Sequence, residues 1–158
     1  MTGKHISFIL SVALCFAPLA SGQETMTEEH KRWLKEKFAA KHQALIPKVA
    51  VADMFYGCNT VRKTDPVPYQ VPDIIRKMDK NLLAEKLKLC LGEETPQSDN
   101  ALNFGLVGCF NDQLSELSDK ERMEKMELVE SAILRLSREQ RQQSFTKCVT
   151  EQAIRYLQ

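Results

Sequence analysis

Little in this chain is built for pleating or tight turning. It has 158 residues and six glycines, and beyond residue 22 only Gly57, Gly92, Gly105 and Gly108 remain. Alternating apolar–polar runs are few, so strands are not expected. Histidine is scarcer: past His5 there are only His30 and His42. No CxxC or HxxxH spacing occurs, which argues against a zinc site. There is no GxSxG elbow, and two histidines on one N-terminal stretch give no legible Ser–His–Asp or Cys–His set. No charge of one sign dominates: 22 Lys and Arg face 21 Asp and Glu. That balance offers no global argument for nucleic acid. An apolar run long enough to cross a bilayer, roughly 20 residues, is also missing.

The longest such run, Ile6 to Ala17, has another reading. It follows the single charge Lys4 and precedes Pro18 and Ala20-Ser21-Gly22. A positive lead, an apolar core and a small-residue exit make a secretory signal peptide. Residues 1–22 are expected to be removed after Gly22, taking Cys15 with them. The expected mature chain, 23–158, is a single helical domain, soluble, and either periplasmic or secreted. Without Lys4 its charges balance at 21 of each sign.

Four cysteines then remain, Cys58, Cys90, Cys109 and Cys148, and an even number in an exported chain points to two disulfide bonds. Each follows a large apolar residue by three positions, in FYGC, LKLC, LVGC and FTKC. Residues three apart share a helix face. Each cysteine is therefore expected on the buried stripe of its own helix, where a bridge joins two helices through the core.

The helices follow from period and punctuation. A first is expected from Thr27 to about Leu45, ended near Pro47, and a second from Lys48 to Val61. KTDPVPYQVP reads as an extended connector. A third should span Asp73 to Leu91 and close on Gly92, and a fourth Asn100 to Leu117. The capping boxes Ser118–Glu121 and Ser137–Gln140 open a fifth and a sixth. The fifth carries a stripe of Met123, Met126, Val129, Ile133 and Leu136. The fold class is thus all-α: a single compact helical bundle of about five or six helices with two inter-helix disulfides. With the last three helices running up, down and up, Cys109 and Cys148 come to similar heights at 1.5 Å per residue. That pairs them and leaves Cys58 with Cys90, both near the C-terminal ends of their helices.

Function is less legible. Lys31, Arg32, Lys35, Lys37, Lys41 and Lys48 outnumber Glu36 on the first helix, with Trp33 and Phe38 among them. A basic amphipathic helix can dock in a partner's groove or lie on an anionic membrane. Tyr69, among the connector prolines, offers a stiff aromatic contact. Trp33, Lys35, Phe38 and Tyr69 are therefore the candidate binding residues. Glu121, Glu124, Glu127 and Glu130 read as a solvated face, and His30 and His42 as surface side chains. The expectation is protein binding: an exported interaction protein, such as an accessory subunit, inhibitor, immunity protein or chaperone. Its partner would be another exported protein, with peripheral membrane contact through the first helix and no nucleic acid. No cofactor, no metal and no catalytic residue is expected. The alternative is a soluble carrier of a small apolar ligand, with Met54, Met78, Met123 and Met126 lining a cavity. An enzyme with a dispersed site ranks below both.

Overall fold

The computed structural model describes residues 27–158. The expected signal peptide lies outside them. Among the described residues there are six helices and no strand: α1 (Glu28–Arg62), α2 (Val71–Lys77), α3 (Lys80–Leu91), α4 (Asp99–Gln113), α5 (Asp119–Arg135) and α6 (Arg138–Arg155). They pack into a compact bundle around one core.

Three expected boundaries fail, the first two for a clear physical reason. Pro47 does not break the first helix; α1 runs through it for 35 residues, or ~52 Å. A proline inside a helix forfeits one backbone bond and costs roughly 3 kcal/mol. Burial of Val49, Ala52, Phe55 and Cys58 immediately beyond it offsets that loss. Conversely, the expected third helix is cut in two. Met78 turns extended, and the Asp79 carboxylate accepts from Asn81 and Leu82 N–H, at 2.8 and 3.2 Å, to start α3 afresh. Those N–H groups hold the Asp79 carboxyl below its ordinary range. The last connector proline sits in the first turn of α2, where a missing N–H costs nothing. α4 also stops at Gln113, four residues earlier than expected.

The two capping boxes and the Gly92 stop hold as read, while the cap on α4 was not among the expected ones. Both capping boxes are formed. Gly92 closes α3 at φ +65°, its N–H 3.0 Å from the Lys88 carbonyl. Ser98 caps α4.

The centre of the bundle is the crossing of α1 and α4. A Cβ on Gly57 would lie 2.1 Å from the Phe104 carbonyl oxygen, and one on Gly108 would lie 2.3 Å from that of Asp53. The two backbones touch, and only glycine permits it. Gly57 faces Phe104 while Gly108 faces Asp53, so the helices run antiparallel. Between α4 and α6 the numbers rise together, from Gly105 against Phe145 through Cys109–Cys148 to Asp112–Gln152. Those helices are parallel, as the height argument requires.

Both disulfides take the expected pairing, Cys58–Cys90 and Cys109–Cys148, with Cα–Cα distances of 6.1 and 6.3 Å. All four cysteines are buried, and so are the partners three positions earlier: Phe55, Leu87, Leu106 and Phe145. Arg62 reinforces the first bridge. Its guanidinium donates to the Cys90 and Leu91 carbonyls, at 2.9 and 2.8 Å, and pairs with Glu94. The last turn of α1 thereby caps the C-terminal end of α3. Two disulfides are the chemistry of an oxidising environment.

Candidate functional site

α1 is longer than the bundle that holds it. From Thr27 to Lys41 every residue is exposed. A free helix of this length is marginal in water. Here it grows from a packed C-terminal half, so no separate nucleation is required. The candidate residues Trp33 and Phe38 remain 51% and 45% exposed, and Lys35 is exposed with them. At ~100° per residue, Leu34, Phe38 and Leu45 fall on the face that carries Val49 and Ala52 into the core. The apolar stripe simply continues past the end of the bundle. Trp33 flanks it, stacked on His30 with ring centroids 5.7 Å apart and with the Lys37 ammonium 5.9 Å from its ring. Lys35 lies on the opposite flank.

His42 marks where this arm leaves the body. It is not the purely solvated side chain expected from sequence: its Nε2 lies 3.0 Å from the Thr150 carbonyl of α6, and its ring stacks on Phe38. His30 is exposed.

Tyr69 stands apart from the other three. It packs edge-on to Phe55 at 5.3 Å, seventeen residues beyond Phe38 on α1, or ~25 Å. Its hydroxyl donates to Asp65 at 2.9 Å, and the Lys86 ammonium sits 5.6 Å from its ring. Lys86 and Asp65 are also paired, which first among several contacts holds the Asp65 carboxyl below its ordinary range. The Asn59 side-chain amide brackets Asp65 N–H and C=O at 2.8 and 3.0 Å. These bonds pin the connector to α1 and α3. Val67, Pro68, Ile74, Met78 and Leu82 edge a cleft of about 370 Å³ beside Tyr69.

α5 presents the second unpartnered surface. Only Met126 and Ile133 of this helix are buried. Met123, expected in its core stripe, is instead 63% exposed. It sits in the second turn of α5, on the face that also exposes Glu127 and Glu130. Met123, Glu127, Glu130 and Leu134 recur at intervals of four, three and four, and so form one outward ridge. Leu134 is 76% exposed. The glutamates are exposed, as expected.

One polar cluster was not foreseen. Gln152 is fully buried and its Nε2 donates to Asp53 at 3.1 Å and to Asp112 at 3.0 Å. Asp112 also accepts from Arg155 at 2.8 Å and from the Tyr156 hydroxyl at 2.7 Å. Burial, then that bond, pushes the Tyr156 hydroxyl's pKa upward. Gln152 Oε1 rests 3.1 Å from the Cys109 sulfur, which in a disulfide has no proton to donate. The cluster ties α1, α4 and α6 together and reaches the surface at a cleft of about 230 Å³ lined by Arg76, Arg155 and Tyr156. Its signal in the sequence is one carboxylate inside the apolar stretch VAVADMFYG.

Asp53 Oδ2 is buried without a hydrogen-bond partner. Burial therefore raises the Asp53 carboxyl well above its ordinary value, despite the Gln152 bond. The folded state binds this proton more tightly than the unfolded chain. The resulting contribution is complete below about pH 4 and falls as pH rises toward the folded value, by up to about 1.4 kcal/mol per pH unit. Asp53→Asn keeps the acceptor for Gln152 and removes the ionisation. Its melting temperature should exceed that of the parent above neutral pH, and the gap should close in acid. Parallel melting curves across the pH range would contradict this assignment.

No helix among the described residues is long and apolar enough to cross a membrane, and no group of His, Cys, Asp and Glu there could hold a metal ion. Comparison with protein families, with curated proteins and with solved structures yields no match to this chain.

Proposed function

We propose that this protein is an exported, non-enzymatic interaction protein, periplasmic or secreted, that docks the projecting half of α1 into an apolar groove with an acidic rim on another exported protein. The observation that carries this reading is the arm itself. It holds Trp33, Leu34 and Phe38 in water on a helix already formed. A preformed helix loses little conformational entropy on docking. Its apolar stripe with lysines on both flanks is the pattern of helix-in-groove recognition, and the lysines favour an acidic rim. The buried disulfides and the N-terminal sequence support export. The Tyr69 connector lies outside this surface and serves the scaffold.

The test uses mature, oxidised protein as bait against the exported fraction of its source. Trp33→Ala combined with Lys35→Glu should abolish the specific capture. A change at Leu89, which is exposed on α3, should leave it intact. Equal capture by all three baits would remove the arm from the proposal.

A further inference from the structure

We propose that the arm's partner is a second copy of this chain, bound reciprocally, with α1 of each protomer lying on α5 of the other. This rests on the reading of the arm as a docking helix and names what it docks on. The argument is the match between the two unpartnered surfaces. On α1 the stripe Leu34, Phe38, Lys41 and Leu45 recurs at four, three and four; its first three members are exposed, and Leu45 is half-buried where the arm meets its own core. On α5 the ridge Met123, Glu127, Glu130 and Leu134 recurs at the same intervals. Each is apolar at its ends, and the charges between are of opposite sign. Laid antiparallel, Leu34 meets Leu134, Lys41 meets Glu127, and Leu45 meets Met123. Phe38 then packs beside Glu130 over its methylenes, with Lys37 in reach of that carboxylate.

Symmetry supports the pairing. A two-fold axis makes both contacts at once, because every protomer supplies one arm and one ridge. The dimer closes, covers both exposed stripes and neutralises both charged faces. A surface with acidic groups at the required spacing is thus already present on the chain.

Charge reversal with mixing tests the proposal. Mature, oxidised protein should show a reversible monomer–dimer equilibrium by sedimentation equilibrium between micromolar and submillimolar concentration, weakening as salt is added. Lys37→Glu with Lys41→Glu, or Glu127→Lys with Glu130→Lys, should each raise the dissociation constant by about tenfold or more. All four positions are exposed, so the variants should fold, and circular dichroism checks that they do. Mixing the two variants should restore a dimer, now a heterodimer, since each arm again meets a ridge of opposite charge. A parent that stays monomeric, or a mixture that fails to associate, overturns the pairing. So does an arm that binds vesicles of anionic phospholipid while the protein remains monomeric. If the parent is monomeric but arm variants still lose a captured partner, self-pairing falls and the docking function stands. A dimer indifferent to the arm variants also overturns the self-pairing, whereas the docking function falls only if capture too is indifferent to them.

Discussion

Gly108→Ala, or Gly57→Ala, is expected to lower the melting temperature by about 10 °C or more, for a loss above about 3 kcal/mol. Ordinary overpacking costs less, because a crowded side chain can rotate aside. Here the added methyl meets backbone: Asp53 N-terminal to the disulfide residue of α1 in one case, Phe104 of α4 in the other. Backbone in a helix cannot rotate away, so α1 and α4 must separate. That loosens Phe55, Leu106 and Gln152, all within 1% of full burial, and stretches the bonds from Gln152 to Asp53 and Asp112. The two glycines belong to one contact. Once the helices have parted for one methyl, the second fits at little further cost. The double variant should therefore lose clearly less than the sum of the singles. Urea titration of the three variants checks both statements. Melting within two or three degrees of the parent would mean the helices do not touch.

That crossing was invisible in the sequence, and the contrast with what was visible is instructive. Caps are local: Ser118 and Glu121 find each other within one turn, and so do Ser137 and Gln140. The cysteine pairing was legible because heights along helices are nearly local too, requiring only rise per residue and the direction of each joint. Gly57 and Gly108 are distant in sequence, and nothing near either one announces that another backbone arrives there. Pro47 misleads for the same reason. Its local cost is real, and the burial that outweighs it comes from α3, α4 and α6. Asp79 is the reverse case, a local cap hidden inside an apolar stripe that reads as continuous. For the site, the basic and aromatic character of the arm was readable, whereas its projection was not. Where a helix outruns its bundle depends on the lengths of its neighbours. Met123 went astray at the other margin, since periodicity assigns a face without saying whether anything covers it.

The second large effect concerns the disulfides, and it is conditional. Their loops close 32 and 39 residues and do not overlap along the chain. In the chain-entropy treatment each contributes about 4 kcal/mol, so together they match most of a typical stability of ~5–15 kcal/mol. Yet none of the four cysteines is more than 3% exposed. A thiolate must reach sulfur to exchange with it, so reductant alone should act slowly on the native fold. A denaturant concentration too low to unfold the oxidised protein should speed reduction greatly by raising the population of open states. Removing that denaturant with reductant still present should then fail to restore the native melt, because the reduced chain lacks the constraint that made the fold favourable. Alkylation followed by mass spectrometry should find all four thiols modified under the second condition and few under the first. Cys109 and Cys148 should yield last, since their bridge joins the parallel pair α4 and α6 beneath Gln152 and Gln113, whose amide lies 3.1 Å from the Cys148 sulfur. A reduced protein that recovers the parent's melting temperature would show that the packing of α1 on α4 suffices, and that the bridges add durability rather than stability.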